Sequence, residues 1–184
     1  NTPGELRDYL NELAHHSAAY FRPNFWVSTP DILTPYLQFG GRSGHKIRAV
    51  LAAMSTPSWG MYAGYELIEC VARPGAEEHI DSEKYEYKAR NWDAPDTVER
   101  SIAPYITRLN QIRRDHPAVM QLRNIEFHHS DDGAFLVFSK HLPADLTESG
   151  KSDTVIVVVN TDPHAVRETT VRLDLSKLGL ADGS

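Results

Sequence analysis

The hydrophobic period of this 184-residue chain changes at Pro117, and that break limits what the chain can fold into. Before it, apolar residues recur at helical spacing in three stretches, interleaved with two aromatic and β-branched runs. After it, only strand-like runs occur. Such a pattern predicts β/α units over residues 1–118 and an antiparallel all-β part over residues 119–184, with the boundary between Ala118 and Asn124.

The first helix is announced by Thr2, Pro3 and Glu5, a capping box with proline at the first helical position. Leu6, Tyr9, Leu10 and Leu13 give it an apolar stripe. Residues 20–28 read as a strand closed by Thr29-Pro30-Asp31, because Pro30 has no amide to continue a ladder. Residues 32–39 read as a short helical segment and Gly40 to Gly44 as a loop. A helix carrying Ile47, Val50, Leu51 and Met54 follows, then a second strand over residues 57–66. Residues 71–100 form a long polar loop, a kind of segment that tends to be functional. A third helix is predicted from Ile102 to Asp115. Beyond Pro117, residues 125–127 and 134–139 flank a Ser130-Asp131-Asp132-Gly133 turn and read as a hairpin. The run from Thr154 to Asn160 is continuously apolar up to its end, as expected of a strand covered on both faces, and residues 171–175 alternate.

Two strands and three helices do not close a parallel sheet, since a (β/α)8 barrel takes about 250 residues. The strands after Pro117 make only part of a sandwich. The expectation is a fragment of a larger enzyme: the last two β/α units of a TIM barrel followed by part of an antiparallel β-sandwich. Its open apolar faces would be covered by the remaining barrel segment or by a second copy.

Composition removes other classes. Nineteen Lys and Arg against 25 Asp and Glu leave a net charge of −6, which disfavours nucleic acid as a partner. No run approaches the roughly 20 apolar residues of a membrane helix. The single cysteine, Cys70, excludes a disulfide framework and a multi-cysteine metal site, and reads as a buried, inert thiol. No basic stretch followed by an apolar one opens the chain, so a cytoplasmic setting is expected. Neither a cofactor nor a metal is called for.

Few residues carry chemistry. Asp31 follows the end of a strand that would be parallel, which in a β/α barrel is the catalytic face. A carboxylate there suits charge stabilisation in glycosyl transfer, where the transition state resembles an oxocarbenium ion. Taken by position alone, a helix N-cap or turn aspartate is the commoner use of such a residue. Glu66 lies near the same face and reads as a supporting carboxylate in a hydrogen-bonded loop rather than a catalytic one. The stretch Asp81-Ser82-Glu83-Lys84-Tyr85-Glu86-Tyr87 reads as a solvated loop unless it lies over the barrel face, where Lys84 and Tyr85 could contact sugar hydroxyls. The pairs His15-His16 and His128-His129 are sequence neighbours that do not converge on a metal, and read as surface or packing residues. Arg113-Arg114 complement a helix dipole.

Four segments together resemble a known family. They are Asn24 to Leu33 with its Thr-Pro-Asp, Leu51 to Glu66, Asp81-Ser82-Glu83-Lys84-Tyr85, and Leu109 to Ala118. In this order they resemble the C-terminal part of the α-1,4-glucan:maltose-1-phosphate maltosyltransferases, in the α-amylase family of retaining enzymes. The resemblance implies transfer of a maltosyl unit from α-maltose 1-phosphate to the non-reducing end of an α-1,4-glucan, with release of phosphate. It implies an aspartate nucleophile and a glutamate acid on barrel strands that precede this sequence, so the isolated chain is expected to be inactive. The family's transition-state carboxylate falls on Asp31, and its maltosyl-contacting lysine and tyrosine fall on Lys84 and Tyr85. The full enzyme is expected to be a homodimer. Pro30 replaces the histidine that most amylases place before this aspartate, which points to the transferase branch. Two other readings stand beside it: another amylase-family enzyme, such as a trehalose-forming mutase or a glucan hydrolase, and a non-catalytic glucan-binding module.

Overall fold

In the computed structural model, which describes residues 2–83 and 85–180, the first helix begins as its capping box dictates. The Thr2 hydroxyl accepts from the Glu5 amide at 3.3 Å and the Glu5 carboxylate accepts from the Thr2 amide at 2.8 Å. Helix α1 runs Pro3–His15 and buries Leu10, Leu13 and Ala14. Strand β1 is Asn24–Trp26 and β2 is Ser58–Gly60. They pair in parallel, with Asn24 opposite Ser58, Phe25 opposite Trp59 and Trp26 opposite Gly60. Both are shorter than the sequence runs that announce them, and among the described residues each pairs with no other strand.

Between them lie α2, Pro35–Phe39, and α3, Gly41–Ser55. The glycine-rich stretch expected as a loop is thus the start of a helix. Its glycines serve packing: a Cβ on Gly40 would collide with the Tyr36 carbonyl, and Gly41, at φ +53°, turns the chain from α2 into α3. The long polar segment holds a short antiparallel bridge, Ala72 to His79, and a helix α4, Pro95–Arg100, where only loop was expected. Helix α5 runs Ala103–Asp115 and packs on α3. Its Arg113 does more than complement a dipole. The buried guanidinium donates to the carbonyls of Ala53, Thr56 (2.9 Å) and Pro57 (2.6 Å), and so satisfies the C-terminal end of α3.

After Pro117 the structure is antiparallel, as expected. Strands β3 (Ile125–Phe127), β5 (Phe135–Leu142) and β6 (Asp153–Asn160) form a sheet in the order β3-β5-β6. Strands β4 (His129–Ser130) and β7 (Val171–Arg172) form a second pair. The strand covered on both faces is β5, not the valine-rich β6. Leu136, Val137, Phe138, Ser139 and Lys140 of β5 are all buried, whereas Ile156 and Val158 of β6 are 43% and 50% exposed. One face of the sheet packs on the helices, so that Leu136, Phe138, Val157 and Val159 share a core with Leu10, Ala49, Ala53 and Ile106. The other face of β5 is covered by β4 and by the turn Ser176–Leu178.

The polar residues of β5 have partners. His128 Nε2 lies 2.7 Å from the Ser139 hydroxyl, and the Lys140 ammonium donates to the carbonyls of Val119 at 3.2 Å and Gln121 at 2.5 Å. His129 is exposed beside Asp131, so the adjacent histidines point to opposite sides, one for packing and one at the surface. Cys70 is half-buried rather than buried.

Candidate functional site

Because β1 and β2 are parallel, the segments after them meet at one end of the pair. Asp31 sits past the end of β1, in a tight turn closed by hydrogen bonds between Thr29 and Ile32 (3.2 and 3.3 Å). Its side chain is exposed. It caps no helix, since α2 begins four residues later behind Thr34. The turn is tied to the long polar segment by the Leu33 amide, which donates to the Glu77 carbonyl at 2.6 Å.

Past β2 the chain turns through Gly64, at φ +97°, into a 3₁₀ turn Tyr65–Leu67. Glu66 serves this turn, as expected: its carboxylate accepts from the Gly64 amide at 3.1 Å and its carbonyl from the Ile102 amide at 2.8 Å. Tyr65 is 2% exposed and donates its hydroxyl to the His45 carbonyl.

Beside these turns lies an ion-pair network that takes in Glu83, a residue expected in a solvated loop. Arg90 donates Nε and Nη2 to the two carboxylate oxygens of Glu69, at 2.9 and 3.0 Å, and Nη2 also to Glu83 at 3.1 Å. Tyr62 donates its hydroxyl to Glu83, and the Arg90 guanidinium lies 5.6 Å from the Tyr62 ring centre. Lys88 pairs with Glu69 at 3.2 Å and Asp81 at 3.4 Å. The electrostatics follow. The Tyr62 hydrogen bond, with Arg90 and the Lys88 amide behind it, brings the Glu83 pKa down to about 2. Burial alone would raise Glu69, but the hydrogen bonds from Arg90 and Lys88 outweigh it and leave its pKa below the ordinary value. Burial, then the bond to Glu83, raises Tyr62.

Two further features mark this end. Among the described residues, the non-glycine positions with left-handed backbone are Ile68 and Glu83, both after β2. Buried polar atoms with no protein partner include Ser28 Oγ, Thr34 Oγ1, His45 Nε2 and His79 Nε2. Burial lowers the pKa of both histidines, so they remain neutral at pH 7.

Of the residues anticipated from the sequence, Asp31 stands at this end, Tyr85 is 99% exposed on the same polar segment, and Lys84 lies outside the described residues. Tyr85 makes no ring contact with a described residue. In the antiparallel sheet Phe135 and Phe138 are buried and Phe127 packs against Phe138.

Comparison with known proteins finds similarity over nearly the whole chain to named glycosyltransferases. Residues 127–184 match the family described as "GLGE, C-terminal". Over 181 residues, 98% of its length, the chain is 51% identical to alpha-1,4-glucan:maltose-1-phosphate maltosyltransferase 2 of Streptomyces coelicolor, covering 26% of that protein. It is 49% identical to the enzyme of that name from Arcanobacterium haemolyticum, over 98% of this chain and 26% of the relative. For the Corynebacterium glutamicum enzyme the figures are 47%, 100% and 26%. The chain is therefore a homologue of the alpha-1,4-glucan:maltose-1-phosphate maltosyltransferases, and it spans about a quarter of the length of these relatives.

Proposed function

We propose that this chain forms the last two β/α units of a (β/α)8 barrel, residues 1–118, and the start of the following antiparallel domain, residues 119–184, in a retaining maltosyltransferase. The donor is α-maltose 1-phosphate and the acceptor an α-1,4-glucan. An aspartate on an earlier barrel strand attacks the anomeric carbon while a glutamate protonates the departing phosphate. The acceptor's terminal hydroxyl then displaces the aspartate, and the glutamate takes its proton. Asp31 binds ring hydroxyls and stabilises the positive charge that develops at the anomeric centre. Lys84 and Tyr85 contact the maltosyl unit. The full enzyme is a cytoplasmic homodimer.

The observation that carries this reading is the placement of Asp31. It is an exposed carboxylate in a tight turn directly beyond the C-terminal end of a parallel strand, with no helix to cap. That is where β/α barrels hold their catalytic groups. The names of the relatives support the substrates. The test is phosphate release from α-maltose 1-phosphate in the presence of glycogen. The full-length enzyme carrying this segment turns over, the isolated 184-residue chain does not, and Asp31→Asn abolishes most of the full-length rate. A full-length enzyme indifferent to that substitution sinks the assignment.

A further inference from the structure

Glu83 immediately precedes Lys84 and Tyr85 in the sequence, and its carboxylate accepts from the Lys88 amide, from Arg90 and from Tyr62. Oε1 accepts from the Lys88 amide at 3.0 Å, which ties Glu83 to the far side of the loop. Oε2 accepts from Arg90 at 3.1 Å and from the Tyr62 hydroxyl, which anchors Glu83 to the segment following β2. Arg90 is itself fixed by its two bonds to Glu69. Tyr62 is held from behind by His79, whose ring meets it edge-on at 5.3 Å. Glu83 adopts a left-handed backbone, φ +53°, which a residue with a Cβ keeps only when its surroundings enforce it. A loop needed only for solubility has no use for a mostly buried carboxylate with three donors.

We infer that Glu83 is a positioning residue: clamped by Tyr62, Arg90 and the Lys88 amide, it fixes the loop from which Tyr85 reaches the donor sugar. This rests on the donor-contact role proposed above for Tyr85. Tyr62 acts in the same unit, because its hydroxyl is the donor that joins the loop to the barrel part.

The test uses the full-length enzyme carrying this segment, with Glu83→Gln, Glu83→Ala and Tyr62→Phe. Glu83→Gln keeps an acceptor but loses the charge that holds Arg90. It should raise KM for α-maltose 1-phosphate about tenfold with kcat within about threefold, and Glu83→Ala should raise it further. Tyr62→Phe should raise KM about threefold. Amide hydrogen exchange should speed up at residues 84–88 and remain unchanged in α3. If Glu83→Ala does not fold, the other two variants decide. Wild-type KM in all folded variants, or a lowered melting temperature with KM and local exchange unchanged, overturns the proposal. A wild-type enzyme that releases no phosphate from the donor refutes the maltosyltransfer reading instead, and the exchange result then decides whether Glu83 fixes the loop.

Discussion

His116 and Asp153 meet where α5 ends and β6 begins: the imidazole Nδ1 lies 2.8 Å from Asp153 Oδ1. The other oxygen of that carboxylate accepts from the Ala118 amide at 2.9 Å. One largely buried carboxylate thus ties the last helix of the β/α part to an edge strand of the sheet. Asp153→Ala leaves the Ala118 amide without its acceptor and should destabilise the fold by about 2 kcal/mol. Urea unfolding checks this as a lower midpoint at unchanged slope.

Lys140 predicts an alkaline gain in stability. Burial lowers its pKa from the ordinary 10.5 to about 7, with the Arg113 charge adding to the effect. Between those values the unfolded chain holds a proton that the folded chain lacks, so raising the pH favours the folded state. The slope for one such group approaches about 1 kcal/mol per pH unit. Unfolding of the wild type should therefore become harder from pH 7 to 9, by more than it does for Lys140→Met. Parallel pH profiles for the two proteins would show that the ammonium is not penalised where it sits.

Asp31 separates a catalytic role from a structural one. Asp31→Asn keeps the side chain's shape and a carbonyl oxygen at an exposed turn position, so the melting temperature of the full-length enzyme should stay within about 2 °C. Loss of a group that stabilises transition-state charge costs about 100- to 1,000-fold in kcat. Steady-state phosphate release beside a thermal melt reads both quantities on one preparation.

Gly64 has no room for a side chain. Its φ of +97° already excludes most residues, and a Cβ would overlap the Glu69 carboxylate and come within 3.0 Å of Arg90 Nε. Gly64→Ala should cost about 2 to 4 kcal/mol through backbone strain and displacement of the Glu69–Arg90 pair. The measurement is denaturant unfolding, with Gly75→Ala as comparison: Gly75 also has positive φ but nothing within 4 Å of the added carbon, so its cost should be only that of the backbone.

The parallel pair and the change to antiparallel strands were legible because local chemistry and tertiary fold agree there. A β-branched and aromatic run ended by Thr29-Pro30 has few other structures open to it. The helix at Gly41 was not legible, since its glycines answer to the close approach of Tyr36, a tertiary contact that no local pattern encodes. Strand β5 hid its central place behind Ser139, Lys140 and His141. Ser139 and Lys140 are buried only because His128 and two carbonyls receive their polar groups, and His141 is half-buried with Thr154 as its partner. Arg113 and the Glu69–Glu83–Arg90 network escaped for the same reason. A charged residue in a polar stretch reads as solvated until its partners, 57 residues away for Thr56 and Arg113, are known.

Leu136 and Phe138 stand in one core with Leu10 and Ala49, although Pro117, where the hydrophobic period changes, lies between them in the sequence. The sheet is consequently no detachable module. Grafting it from one homologue onto another would import side chains shaped for foreign α1 and α3 surfaces, and such a chimaera would need its helices exchanged along with its strands. Substitutions that alter volume at these positions should for that reason be inherited in compensating pairs.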